Sequence, residues 1–199
     1  MGIGFRLGSA TIKTCLLSGL CDWSQAGELK WEHGTGRSTA AAGDRAPDHD
    51  HTTKSEYGGF LYLDSRSSYA GRTALLQSRD QEASLCLSLW YYSQDSDGFL
   101  RVLQLWETEE GVAAERQVWE APKFSLPSWQ YQVVSVHLTT EMHFRYQLQL
   151  AGTVGTNNQS ITALDDIAME HGKCKENECN FERGDCGYGN FRTDSFDWG

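Results

Sequence analysis

The chain has 199 residues, of which 39% are hydrophobic and 12% aromatic, enough apolar side chain to bury a core, so intrinsic disorder is excluded as its native condition. Its net charge of -10 comes from 27 acids against 17 bases with no block of like charge, which argues against nucleic acid and anionic lipid as partners. Three Pro against 20 Gly, with abundant Trp, Tyr, Val and Leu, point to strands joined by glycine turns and hence to an all-β chain.

In residues 1–14, a flank to whatever follows, Arg6, Gly8, Ser9 and Lys13 interrupt any apolar run of signal-peptide length. No segment is long enough to span a bilayer, so no direct membrane insertion is expected, and any signal peptide or anchor is expected outside the fragment. The polar stretch Gly34 to Ala46 reads as a loop. In His49-Asp50-His51 the two histidines would project to one side of an extended strand, which is how a metal pair is built, but a polar loop entering a strand is the reading adopted.

Strands are expected over Tyr57 to Leu63, Leu85 to Tyr92, Phe99 to Trp106, Val133 to Leu138 and Phe144 to Leu150, each bounded by Gly, Asp, Ser or Thr. Leu85 to Tyr92 is apolar on both faces apart from Ser88, as a strand between two packed layers requires. Asp97-Gly98 is a candidate hairpin turn between the second and third of these strands. In the last strand Phe144, Tyr146, Leu148 and Leu150 fall on one face and Arg145, Gln147 and Gln149 on the other, the period of a half-buried antiparallel strand. The loop Gly152 to Ser160 carries Asn158-Gln159-Ser160, a glycosylation acceptor pattern. Trp90, Trp106, Trp119 and Trp129 read as core bulk rather than as an exposed platform.

Six cysteines, Cys15, Cys21, Cys86, Cys174, Cys179 and Cys186, form two close pairs and one distant couple, and none lies in a CxxC spacing that would suit zinc. A bridge from Cys86 to Cys174 would remove about 4 to 5 kcal/mol of unfolded-chain entropy and would persist only in an oxidising compartment, which places the chain outside the cell or on an ectodomain. The segment Cys15-Leu-Leu-Ser-Gly-Leu-Cys21, followed by Trp31, parallels Cys179-Asn-Phe-Glu-Arg-Gly-Asp-Cys186, followed by Trp198. These are two starts of one module separated by the linker 175–178.

Several segments resemble, in order, those of the MAM domain, the extracellular module shared by meprins, neuropilins and receptor tyrosine phosphatase mu. They are Cys179-Asn-Phe-Glu-Arg-Gly-Asp-Cys186, Asp50-His-Thr-Thr53 ahead of Phe60-Leu-Tyr-Leu-Asp64, Cys86-Leu-Ser-Leu-Trp90-Tyr91, and Asp165-Asp166-Ile167 ahead of Cys174. The resemblance implies a jelly-roll β-sandwich over residues 15–174, followed at 179–199 by the truncated start of a second copy. It also implies pairing of Cys15 with Cys21, Cys86 with Cys174 and Cys179 with Cys186. Some members bind a cation, so the resemblance implies either no cofactor or calcium, with Asp50, Asp165 and Asp166 as oxygen donors. The first copy departs from the pattern, since Leu16-Leu17 stand where the second has Phe181-Glu182, and this removes one acid from such a site.

Asp165-Asp166 has the make-up of an acid–base dyad, but turn chemistry and hydrogen bonding to nearby backbone are the expected roles. A cysteine inside an apolar strand, as Cys86 is, reads as half of a cystine rather than a nucleophile. No HExxH is present and no catalytic residue is assigned. The expected function is that of a noncatalytic adhesion or recognition module in a tandem MAM array, secreted or on the outer face of a membrane, working through an extracellular protein partner or a homophilic contact. The alternative is the accessory ectodomain of a larger enzyme, a meprin-like protease or a receptor phosphatase.

Overall fold

The computed structural model describes residues 20 and 22–174, apart from 68–69, 95–97, 124–126 and 157–160. Cys15, Cys21, Cys179, Cys186 and Asn158 lie outside the described residues, as do the flank 1–14, the linker 175–178 and the second module start at 179–199.

The described chain is nearly all β. Its strands are β1 Trp23–Ala26, β2 Glu32–Thr35, β3 Gly59–Asp64, β4 Thr73–Ser78, β5 Leu85–Ser93, β6 Phe99–Glu107, β7 Ala113–Glu120, β8 Gln130–Val136, β9 Gln147–Thr153 and β10 Ile161–His171. They form two five-stranded sheets in the orders β1-β4-β9-β6-β7 and β2-β3-β10-β5-β8, with every pairing between these strands antiparallel. This is the jelly-roll β-sandwich.

Alternation drives the packing. In β6, Leu100, Val102 and Gln104 point inward and are buried, while Arg101, Leu103 and Leu105 are only partly covered. Leu76, Leu87, Leu89, Leu148, Leu150 and Leu164 meet them between the sheets. A chain that exposes one face per strand can satisfy its backbone laterally and bury a single apolar layer. Cys86 in β5 is bonded to Cys174, which follows β10, with Cα atoms 4.7 Å apart across 88 residues of sequence.

Three expectations are corrected. Gly34 to Ala46 is not a loop: it holds the end of β2, a four-residue helix α1 (Gly36–Thr39) and a 3-10 turn over Ala40–Arg45. Thr35 and Ser38 exchange side-chain and backbone hydrogen bonds in a capping box, so a polar stretch that lacks hydrophobic period still starts a helix. The strands on either side of Asp97-Gly98 are not hairpin partners, because β5 and β6 belong to different sheets; Asp97 itself lies outside the described residues.

Phe144 does not join the buried face of its strand; it is 82% exposed. Met142 and Tyr146 are both 1% exposed, and the Tyr146 hydroxyl donates to the Ala83 carbonyl at 2.9 Å. Between these anchors the chain reverses through two left-handed residues, His143 (φ 44) and Phe144 (φ 68), which turns Phe144 outward.

Candidate functional site

The second sheet has a core on each side. Beyond the face shared with the first sheet, Phe60, Tyr92, Ile161 and Ala163 are buried on its outward side beneath Ala46. The cover is the segment 36–58, which runs over this face as a strap. Its path is set by close contacts: a Cβ on Gly36 would lie 2.0 Å from the Asp48 carbonyl oxygen, so only glycine lets the helix start meet the returning chain. The Thr39 hydroxyl donates to the Pro47 carbonyl at 3.1 Å, and the Trp129 indole N–H donates to the His49 carbonyl at 2.9 Å.

Asp50 organises the next turn. Thr53 donates to its carboxylate from the backbone N–H at 2.8 Å and from the hydroxyl at 2.6 Å, and the Ser55 N–H donates at 3.0 Å. The carboxylate thus caps backbone N–H groups three and five residues further on, a local role that suits a short acceptor side chain. Burial works against ionisation of Asp50, yet the hydrogen bonds from Thr53 and Ser55 together hold its carboxyl below the usual carboxylate range. Gly58 packs flat on this carboxylate, where a Cβ would come within 2.1 Å.

The strap is fastened to β10 at a bulge. The register between β10 and β5 shifts between Asp165 and Ala168, and Asp166 sits there with φ 46. Asp165 is 3% exposed; its carboxylate accepts the His51 N–H and the Asp166 N–H, each at 2.8 Å. Asp166 accepts from the Thr52 hydroxyl at 2.6 Å, and its Oδ2 lies 2.8 Å from His51 Nδ1. Burial, then the negative charges of Asp166 and Asp50, push the Asp165 carboxyl up to about 6. The His51 ring stacks on Trp90 at 3.6 Å between centroids and 15° between planes, and the Lys54 ammonium lies 5.9 Å from the same indole. Trp90 is therefore a partly exposed platform on the outward face, which corrects its assignment to the core.

The three acids thus occupy one corner, where the chain itself engages their carboxylates. Each of their six carboxylate oxygens already takes a hydrogen-bond donor from the chain or, at Asp166 Oδ2, the His51 ring. Among the described residues no three His, Cys, Asp or Glu side chains are grouped to hold a metal ion. The two histidines of the strap do not converge either, since His49 pairs with Asp48 and His51 with Asp166. Asp165 is closed off from solvent, and the hydrogen bonds of Asp165 and Asp166 described here run to the strap and the bulge. Sequence reading gave Ser55 and Gly58 no part and named Thr53 and Trp129 without these roles; the pattern Asp50-x-x-Thr53-x-Ser55, an acceptor followed by nearby donors, was a signal for them.

At the far end of β10 a groove of about 390 Å³ is lined by Leu85, Met169 and His171 with Asp22 and Arg79, which pair at 3.2 Å. Among the described residues no helix is long and apolar enough to cross a membrane.

The family described as MAM domain, meprin/A5/mu, matches residues 17–175 of the chain. Thyroid hormone-induced protein B of Xenopus laevis is 29% identical over 146 residues, covering 71% of this chain and 20% of that protein. MAM domain-containing protein 2 of Homo sapiens is 29% identical over 149 residues, covering 72% and 21%. The chain thus spans about a fifth of the length of these relatives. Among solved structures, the C-terminal family 22 carbohydrate-binding module of Clostridium thermocellum Xyn10B superposes with a TM-score of 0.51 at 9% identity over 82% of this chain and 97% of that one, a likeness of fold alone. With a β-sandwich, a Cys86–Cys174 bridge and a match over most of its length, the chain belongs to the MAM domain family.

Proposed function

We propose that this chain is a noncatalytic recognition module of an extracellular protein, working through protein contacts within a tandem MAM array that is secreted or membrane-anchored. The observation that carries this reading is that the titratable groups gathered at the acidic corner are consumed in fastening the strap. That corner stabilises a surface rather than transforming a ligand. The Cys86–Cys174 bridge supports an oxidising compartment, and the repeated Cys-to-Cys opening in the sequence supports the array. On this reading Cys15 pairs with Cys21, Cys179 with Cys186, and Asn158 carries a glycan.

The test is adhesion. Beads coated with the full chain, made in an oxidising secretory host, are expected to aggregate with one another or to adhere to cells, and to lose this on reduction. Beads that do neither would contradict the recognition reading. Nonreducing peptide mapping of the same material checks the three bridges.

A further inference from the structure

We propose that the tip formed by Phe144 and Val112 is a docking surface for a partner protein that carries an apolar pocket rimmed by basic side chains; this rests on the recognition reading above and gives it a place. Phe144 is 82% exposed and Val112 57%, the former in the connection between β8 and β9 and the latter in the turn between β6 and β7. His143 Nε2 lies 3.6 Å from Glu109 Oε1, which brings the two connections together at one end of the sandwich.

The display is built rather than loose. Met142 is buried and receives a hydrogen bond on its sulfur from Gln104, itself fully buried. The Met142 N–H donates to the Thr139 carbonyl and the Arg145 N–H to the Met142 carbonyl. Tyr146 is buried on the other side and pairs through its backbone with Gln81. Three residues are thus held outward between two sunk anchors, and the outermost is a phenylalanine.

Both costs of the arrangement fall on that residue. The left-handed region is unfavourable for any side chain with a Cβ, and glycine would sit there without strain. An exposed phenyl ring also gains nothing from the fold. Strain and exposure that bring the module no packing are expected where the side chain is used by something else.

Charge selects the partner. Glu109, Glu110 and Glu141 lie in the same two connections, and the nearby Arg145 faces Asp80 at 3.7 Å. Three Glu against one Arg leave the two connections net acidic around an apolar knob, which complements an apolar pocket rimmed by basic groups and disfavours an anionic membrane. A second copy of a chain with net charge -10 is a poor match by the same criterion.

The full chain, screened against a yeast-displayed collection of secreted and ectodomain proteins, tests this. Binders are expected to weaken roughly 30-fold with Phe144→Gly, the size of an aromatic anchor at an interface. The same variant is expected to melt at the same temperature or higher, because glycine relieves the backbone. Glu109→Lys with Glu110→Lys should slow association, and added salt should do so for the unaltered chain. Binding that is indifferent to Phe144→Gly, or indifferent to salt, would overturn the assignment of this tip while leaving the recognition reading intact. An unaltered chain that captures no member of the collection would overturn both.

Discussion

On the outside of the second sheet, the strap lays Ala46 over Phe60, Tyr92, Ile161 and Ala163 and makes a small second core. On the outside of the first sheet, Gln147 donates to Asp80, Gln77 to Gln147 and Gln149 to Gln77, a row of side-chain amides linked across β4 and β9. The same sandwich therefore has one face closed by apolar burial and the other finished with amides. Damage should concentrate where burial and closed hydrogen bonds coincide, and should be small where water can replace a lost partner.

The largest effect is expected from Phe60→Ala, which empties a fully buried site under the strap; a loss of about 3 to 5 kcal/mol should appear in denaturant unfolding. Asp50→Ala strips the acceptor from two buried-turn N–H groups and a hydroxyl, and about 2 kcal/mol should be lost in the same assay.

A third effect is a matter of pH. The Asp165 carboxyl is raised from 3.8 to about 6 on folding, so the folded chain holds its proton more tightly than the unfolded chain. Its contribution is unfavourable above pH 6 and is relieved as pH falls from 7 towards 5. Relative to Asp165→Asn, the unaltered chain should gain about 1 kcal/mol over that interval in parallel unfolding curves. A constant difference between the two would show that Asp165 does not titrate as its burial requires.

The smallest effect is expected on the amide face. Gln77→Ala interrupts the row at a half-exposed position and should move stability by no more than about 0.5 kcal/mol. A loss as large as that of Asp50→Ala would erase the contrast between the faces.

How legible each face was in the sequence follows the same division. In β9, the alternation of Leu148 and Leu150 with Gln147 and Gln149 declares one wet face and one dry one, and the structure shows that division. In β5 the run of apolar residues on both sides announced two covering layers, and the strap is the second layer. Its own structure was hidden because Gly36, Thr39, Asp48 and Asp50 act through hydrogen bonds and close backbone approach, which leave no hydrophobic period.

Phe144 was misread for a related reason. It continues the alternation of β9 in sequence, but the buried Met142 and Tyr146 bracket a reversal that takes it off the sheet. At the acidic corner, the resemblance pointed to Asp50, Asp165 and Asp166 together, and the structure brings the strap against β10 there. What the residues do there depended on donors placed by the fold, His51, Thr52, Thr53 and Ser55, which no spacing of acids could reveal.

Hydrogen exchange on Asp165→Ala, followed amide by amide, tests most directly whether the acidic corner fastens the strap. The expected result is that the His51, Thr53 and Ser55 amides lose protection together while β4 and β9 in the first sheet keep theirs. Unchanged protection at those three amides would contradict the fastening role, and so would a loss spread evenly over both sheets.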